Sequence, residues 1–183
     1  MARRIAYTGG PVLTLEDVAR QCRLEVEDLQ PELIEGVIIP GVTAQGEARS
    51  GAAIREAEYE EDWPEHYPSG HALDIGQASE VLSIARVERD GSEVELDAPR
   101  YLQRGQRESF LYFPDGRPLG VLRIRYTAGC DLDAYPGVRS WLLIHAGTAH
   151  EYRETLVSGT ILAELPSTYL DSLLADVTVP PRF

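Results

Sequence analysis

Lysine is absent from this sequence, so all 17 basic residues are arginines. Codon usage is one explanation, and the use of arginine in bidentate carboxylate pairs at interfaces is another. Cysteine is scarce: Cys22 and Cys130 stand far apart, without a CxxC or a Cys/His cluster beside them. This spacing argues against a structural zinc site and a disulfide scaffold, and we interpret both cysteines as small buried residues.

Long apolar runs are also missing. No stretch approaches the roughly 18 residues that a membrane span needs. The segment Met1–Ile5 has two arginines with no apolar core or cleavage site behind them, which predicts a cytoplasmic, unprocessed chain with no membrane partner. With 183 residues, 43% of them hydrophobic and 26% charged, the composition predicts one folded domain.

Familiar catalytic and cofactor motifs are absent as well. The sequence has no P-loop, GxGxxG or Gly-x-Ser-x-Gly pattern, and Gly9-Gly10-Pro11 is too short to cradle a phosphate. His145 and His150 are five residues apart on a predicted helix, whereas two ligands on one helix face need a spacing of four. We therefore expect no enzyme, no cofactor and no metal, and interpret His145 as a core or interface residue.

The charge is strongly negative and unevenly distributed. Thirty acidic residues give a net charge of -13, and residues 1–98 hold 21 acids against 8 bases. This balance argues against a surface that grips nucleic-acid phosphates. One acidic run lacks the spacing of a calcium-binding loop, so we predict that it forms a solvated, negatively charged surface. Its members are Glu56, Glu58, Glu60, Glu61, Asp62 and Glu65.

Helical patterns occupy both ends of the chain. Thr14 is a good N-cap before an acidic first turn, which predicts a short helix over about 15–24. A second helix begins at Pro31, and Pro40-Gly41 predicts a kink or a break within it. Further helices are predicted over 136–156 and after Leu165-Pro166. The expected core residues of these last helices are Trp141, Leu142, Tyr152, Leu173 and Leu174.

Between residues 55 and 128 the apolar pattern changes to a period of two. Val81–Glu88 runs into Asp90-Gly91, a strong hairpin signal, and returns over Glu93–Leu96. A second hairpin is predicted between Ser109–Phe113 and Val121–Thr127. The fold class is therefore α+β, a small helical bundle with an inserted antiparallel sheet. The helical core covers about 14–54 and 136–175, the inserted sheet about 55–128, and the C-terminal tail 176–183.

The order of these motifs resembles a known family. The resemblance rests on six motifs. They are the Thr14–Asp17 helix start, the Asp90-Gly91 hairpin, the strand end Arg125–Gly129, the Tyr135-Pro136 helix start, the helix end His150–Glu154, and the C-terminal segment from Leu165-Pro166 to Leu173-Leu174. Over about residues 13–175 they are similar to the head-tail connector (adaptor) proteins of long-tailed bacteriophages and prophages.

That resemblance implies a non-enzymatic structural protein, made in the host cytoplasm and located in the virion neck, at the head-tail junction. It would form a ring with copies of itself, with a dodecamer expected, beneath the portal protein. It would offer a platform to a tail or neck completion protein. DNA would pass through the lumen without specific binding, and an acidic chain suits such a passage because it repels phosphates.

The tail is predicted to be a docking segment outside the core. Val177–Val179 is suited to adding an edge strand, Pro180-Pro181 stiffens the chain, and Arg182 and Phe183 are residue types enriched at interface hot spots. The resemblance points to the portal as the partner. The predicted contacts are Val177, Val179, Arg182 and Phe183.

Two other functions remain open from the sequence. The first is an acidic, monomeric binding or inhibitor-type module that caps a basic partner through residues 56–65. The second is a hydrolase that uses His66, His71 and nearby acids. Stoichiometry separates the inhibitor from a ring subunit, because a ring needs heterologous self-contacts that close.

Overall fold

A computed structural model of the chain describes residues 1–152 and 166–181. The chain divides into two compact units. The sheet unit comprises Met1–Gly10, Gly51–Cys130 and Val177–Phe183, and the helical unit comprises Pro11–Ser50 and Asp131–Asp176. Helices and antiparallel sheets are segregated along the chain, so the fold class is α+β, as predicted.

Eight strands are described in the sheet unit: β1 (Arg3–Tyr7), β2 (Ala57–Trp63), β3 (His71–Ala72), β4 (Ala78–Val87), β5 (Glu93–Glu95), β6 (Tyr101–Arg104), β7 (Ser109–Tyr112) and β8 (Val121–Ala128). They form a five-stranded sheet in the order β1-β2-β8-β4-β5 and a three-stranded sheet in the order β3-β7-β6. All of the strand pairs are antiparallel.

Strand β8 lies at the centre of the larger sheet and pairs with both β2 and β4. Its even-numbered residues are buried and its odd-numbered residues are not. The predicted strand with one buried face is therefore confirmed. Leu122, Ile124 and Tyr126 contribute to an apolar core shared with residues of β2, β4 and β7.

The two predicted hairpins have different outcomes. Strands β4 and β5 pair around Asp90-Gly91, with Gly91 at a φ of 85°, so the first hairpin is confirmed. The second is wrong: β7 pairs with β3 and β6 in the smaller sheet, whereas β8 joins the larger one. The segment between β7 and β8 is fixed by hydrogen bonds from Arg117. The Arg117 guanidinium donates to the carbonyls of Trp63, Pro64, Pro118 and Gly120.

The helical unit begins with α1 (Leu15–Cys22), which carries the capping box that the sequence predicts. The Asp17 amide donates to Thr14 Oγ1 at 3.2 Å, and the Thr14 amide donates to the Asp17 carboxylate at 3.1 Å. Arg23 then adopts a left-handed conformation, with φ 57°, and ends the helix. A 3₁₀ turn follows at Val26–Asp28.

The second predicted helix is continuous and does not break at Pro40-Gly41. It consists of α2 (Pro31–Leu33), a π-helical segment (Ile34–Ile38) and α3 (Ile39–Ser50). In the π-helical segment the Ile39 amide donates to the Ile34 carbonyl, five residues back. This wider turn lies just before the proline, where a regular α-helix would bring the proline ring against a backbone carbonyl.

Helices α4 (Pro136–Glu151) and α5 (Ser167–Leu174) complete the helical unit. The end of the predicted 136–156 helix, including Arg153 and Glu154, lies outside the described residues, as does Leu165. Arg139 of α4 pairs with Asp17 of α1, with Nη2 2.8 Å from Oδ1. Trp141, Leu142 and Leu174 are fully buried, whereas Tyr152 and Leu173 are half-buried.

The two cysteines are half-exposed and form no disulfide, so the interpretation of both as buried residues is wrong. Cys22 is the last residue of α1, where a helix end lies near solvent. Cys130 follows strand β8. Within residues 1–152 and 166–181, no helix has the length and apolar character to cross a membrane.

Candidate interaction surfaces

The outer face of the larger sheet carries a network of charged side chains. Antiparallel pairing sets Glu60 of β2 opposite Arg125 of β8, and Asp62 opposite Arg123. Arg125 Nε lies 2.9 Å from Glu60 Oε2, and Arg123 binds both oxygens of Asp62 at 2.8 and 2.9 Å. Glu93 of β5 accepts from both arginines, with its oxygens 2.7 and 3.4 Å from their Nη atoms. Cross-strand register therefore builds the network.

Arg3 of β1 extends the same network, with Nη2 2.9 Å from Glu60 Oε1. Burial alone would raise the pKa of Glu60, but hydrogen bonds from Arg125 and Arg3 outweigh it and hold that pKa below its usual range. The pKa of Asp62 is lowered mainly by its hydrogen bonds from Arg123. Both carboxylates are therefore charged at neutral pH and matched by guanidinium groups.

The prediction of a single solvated acidic surface is wrong for Glu60 and Glu61. These side chains are 8% and 3% exposed. Three arginines, Arg3, Arg123 and Arg125, lie on the same face as Glu60, and they neutralise the acids there. Of the remaining members, Glu56, Asp62 and Glu65 are exposed and Glu58 is half-buried.

Glu61 points to the opposite face of β2, into the apolar core of the sheet unit. One carboxylate oxygen accepts from the Trp63 indole N–H, and the other accepts from the Tyr126 hydroxyl and the Asp74 amide, both at 2.9 Å. Burial raises the pKa of Glu61, and these donors offset part of that effect. The carboxylate therefore joins β2, β8 and the segment after β3.

Glu56 lies so close to Gly9 and Gly129 that neither position has room for a side chain. A Cβ on Gly9 would lie 2.8 Å from the Glu56 Cβ, and one on Gly129 would lie 2.9 Å from the Glu56 Cα. Glu56 also accepts from the Thr8 hydroxyl at 2.9 Å. Gly129 closes the Arg125–Gly129 motif, so that motif marks a close backbone approach.

Three of the four histidines contact aromatic rings. His71 stacks on Tyr67 at 3.8 Å between ring centroids and meets the edge of Trp63 at 5.3 Å. His66 contacts the edge of Tyr67. His145 is half-buried and stacks on Trp141, with Nδ1 2.9 Å from the Trp141 carbonyl, so the choice between a core and an interface residue stays open. In the part of the chain that the structure describes, no three His, Cys, Asp or Glu side chains are grouped to hold a metal.

The start of the C-terminal segment is built into the sheet unit. Val177 is fully buried, and the Val179 side chain packs against the positions of Gly51 and Gly76, where an added Cβ would lie 3.4 and 2.8 Å away. The expectation that the whole of 176–183 lies outside the core is therefore wrong at Val177. Of the other predicted docking residues, Arg182 and Phe183 lie outside the described residues.

An apolar groove crosses the surface of the helical unit, and the sequence patterns did not single it out. Val37, at its edge, is 60% exposed. Glu32 and Glu35 are exposed on the same helix, within five residues of Val37. The apolar residues that line the groove are Leu33, Val37, Ile38, Val42, Ala149 and Tyr152.

A second surface missed from the sequence lies along β6, an edge strand of the smaller sheet. Residues 98–107 contain Arg100, Arg104 and Arg107 and no acid, which is the signal that could have revealed it. Arg100 donates to the Ala98 and Leu82 carbonyls, and Arg104 to the Ser79 carbonyl. These acceptors are neutral, but Glu80 and Asp97 line the same surface pocket as Arg100 and Arg104, so the charge along this edge is mixed.

Comparison with known proteins finds matches at the level of structure. No protein-family model matches the sequence, and no curated protein matches it. A chain from the neck of an empty gene transfer agent (GTA) particle, computed with C6 symmetry, aligns with a TM-score of 0.75 at 16% identity. A chain from the virion of a native GTA particle aligns at 0.76 and 17%, and one from the native neck computed with C12 symmetry at 0.66 and 15%.

These alignments cover 100% of this chain and 97% of each matched chain. This chain has the fold of proteins from GTA particle necks. The result is consistent with the head-tail connector family, and it confirms the fold that the resemblance implies. The match includes both the helical and the sheet units, so neither is an addition peculiar to this chain.

Proposed function

We propose that this chain is a structural protein of a virion neck. In this proposal it is a head-tail connector (adaptor) subunit that forms a ring beneath a portal and joins the head to the tail. The observation that carries the proposal is the full-length fold match to chains from GTA necks, one of them computed with C12 symmetry. Fold alone does not assign function, so the surface chemistry has to agree.

The charge distribution supports a ring through which DNA passes. The helical unit holds 15 acidic and 5 basic residues, and the sheet unit holds 15 and 12, so their net charges are -10 and -3. A lumen bordered by such a chain repels phosphates, and the duplex can slide without being held. Twelve copies are expected, with the portal on one side of the ring and a tail or neck completion protein on the other.

We further propose that the C-terminal segment contacts the portal through its last residues. Val177 and Val179 are occupied within the sheet unit. The docking role therefore falls to the residues after them, among which Arg182 and Phe183 have the side chains suited to an interface anchor.

The inhibitor-type alternative loses its main support. It needs an uncompensated acidic cluster in residues 56–65, but Glu60 and Asp62 are paired with arginines of the same sheet. The hydrolase alternative gains no support, because His66 and His71 both pack against the ring of Tyr67, and the described residues contain no group of three His, Cys, Asp or Glu side chains that could hold a metal.

The test is assembly with the portal protein encoded beside this chain. The full-length chain is mixed with purified portal rings, and the mixture is fractionated and imaged by electron microscopy. We expect class averages with an added ring coaxial with the portal and symmetry consistent with twelve copies. Particles with no added density at saturating concentration would contradict the connector role, and a one-to-one complex with a basic protein would favour the inhibitor.

A further inference from the structure

The loop between β7 and β8, residues 113–120, is fixed in place by its own side chains. The Arg117 guanidinium joins it to the end of β2 by donating to the Trp63 and Pro64 carbonyls at 3.3 and 2.9 Å. The Pro118 ring restricts the backbone beside it, and the Pro118 carbonyl also accepts from Arg117, at 2.7 Å. A side chain carried by this loop is therefore ordered before a partner arrives and loses little freedom on binding.

This loop presents Leu119 to solvent. The Leu119 side chain is 85% exposed, more than any other large apolar side chain of the described residues except that of Met1. Val121, two residues further on, is 37% exposed, and Val87 lies directly opposite Val121 across the β4–β8 pair. We name Leu119, Val121 and Val87 the Leu119 patch. A lone exposed leucine is ordinary, whereas clustered apolar side chains at a fixed position are typical of a protein contact.

On the sheet side, the charges next to the Leu119 patch are already paired. Val121 shares its face of β8 with Arg123 and Arg125, and Glu93 lies opposite Val87 on β5. Both arginines donate to Glu93. The network to which they belong is neutral, because it contains three arginines and three acids. Its members are Arg3, Arg123, Arg125, Glu60, Asp62 and Glu93.

On the loop side, the charges are close to balance. Glu65 and Asp115 are exposed, and Glu65 attracts the Arg117 guanidinium. Arg86 of β4 is paired with Glu88, with Nε 2.7 Å from Oε1. One negative charge, that of Asp115, is left over. The Leu119 patch is therefore an apolar centre with a polar rim, and this rim has almost no net charge.

We propose that the Leu119 patch is a contact between neighbouring copies of this chain in the ring. The inference rests on the proposed ring function. Interfaces between identical subunits are more apolar than those between separately folded partners, and the patch has this character. Each copy has a net charge of -13, so two copies approach most readily where the local charge is close to zero.

A different neck protein is the competing occupant of the Leu119 patch. Such a partner is selected mainly by complementary charge. The unbalanced charge of this chain lies in the helical unit, with 15 acids and 5 bases, whereas the patch belongs to the sheet unit. Duplex DNA is disfavoured because phosphates bind cationic groups and the centre of the patch is apolar. The observations therefore favour a second copy.

The first experiment removes the apolar side chain at the centre of the patch. Full-length Leu119→Ser is compared with the wild type by sedimentation velocity over a range of concentrations, alone and with purified portal rings. Because burial of a leucine side chain stabilises an interface, we expect self-association to weaken about ten- to a hundredfold. Val94→Ser is the matched control, since Val94 is 43% exposed on the other face of β5 from Glu93, and it should associate like the wild type.

The second experiment identifies the occupant. The photo-cross-linking residue p-benzoylphenylalanine replaces Leu119 in one tagged copy, which is mixed with a differently tagged wild-type copy and with portal rings before irradiation. We expect a cross-link between the two tags, and none when the same residue replaces Val94. Mass spectrometry of the joined peptides should place the far end of the cross-link outside the Leu119 patch, because a ring requires heterologous contacts.

The outcomes separate this contact from the proposed function. Leu119→Ser chains that form rings on the portal with wild-type affinity, and no cross-link between copies, would overturn the contact and leave the connector role standing. A cross-link from position 119 to the portal alone would assign the patch to the portal instead, and a cross-link only from patch to patch would indicate a twofold dimer. A wild-type chain that stays monomeric with and without portal would overturn both proposals. A lower melting temperature of isolated Leu119→Ser subunits would show that Leu119 packs within its own chain, and would also overturn the contact.

Discussion

Replacing Glu61 is the sharpest test of how the sheet unit is held together. Its carboxylate is 3% exposed and accepts hydrogen bonds from the Trp63 indole, the Tyr126 hydroxyl and the Asp74 amide. Glu61→Ala leaves three donors without their acceptor, and each buried unsatisfied donor costs about 1–3 kcal/mol. Because such losses are not fully additive, we expect a total loss of about 3–6 kcal/mol.

The assay is equilibrium denaturation in urea, followed by the fluorescence of tryptophan. Glu58→Ala, on the same strand and half-buried on the outer face, is the matched control and should change stability by only about 0.5 kcal/mol. At this chain length the Glu61→Ala loss corresponds to a melting temperature lower by roughly 10–20 °C. A Glu61→Ala variant as stable as the control would refute the structural role of the carboxylate.

The pH dependence of the same variant series has a definite sign. Burial raises the pKa of Glu61 above its ordinary value of 4.5, so the folded state holds the proton at pH values where the unfolded state has lost it. This group therefore lowers stability as pH rises from about 4.5 through its folded pKa. Glu61→Gln does not titrate at this position. The free energy of unfolding of the wild type minus that of Glu61→Gln should therefore fall as pH rises. A rise in this value with pH would contradict the burial of the Glu61 carboxyl group.

The remaining predictions concern packing, the tail, the acids and an arginine clamp. Trp141→Ala should cost about 3–5 kcal/mol, measured by urea denaturation, because the side chain is fully buried. A chain ending at Ala175 should melt below the full chain because it loses buried Val177, whereas one ending at Val179 should melt normally but fail to co-sediment with portal rings. Calcium or magnesium should leave the melting temperature unchanged, since Glu60 and Asp62 already bind arginines. Arg117→Lys should cost about 1–3 kcal/mol in the same denaturation assay, because an ammonium cannot reach all four carbonyls that Arg117 binds.

The sequence predicts the local structure of the fold well. The capping box at Thr14, the Asp90-Gly91 turn and the one-sided strand β8 all follow from interactions within a few residues. Strand pairing does not follow from such signals. Ser109–Tyr112 forms a hairpin with β6 across residues 105–108 and pairs at long range with β3, whereas the predicted partner was Val121–Thr127.

The acidic run shows the same limit at the candidate surface. Its acids are evident in the sequence, but the arginines that bind Glu60 and Asp62 lie 57 to 65 residues away. The burial of Glu61 could have been predicted from the sequence. Alternation along β2 places Glu61 on the same side as Tyr59 and Trp63, which indicates a buried carboxylate. Of its three donors, Trp63 lies two residues away on the same strand, whereas the Tyr126 hydroxyl and the Asp74 amide come from β8 and the segment after β3 and could not be foreseen.

The absence of lysine acquires a physical meaning at several of the arginines. Arg123 uses two nitrogens for Asp62 and a third for Glu93, and Arg117 divides its donors among four carbonyls. A lysine ammonium is a single point of charge and cannot span these acceptors. At Arg89 and Arg107, both exposed, no such requirement is visible among the described residues. Hydrogen-bond geometry therefore requires arginine at the first positions, while codon usage remains a sufficient reason at the others.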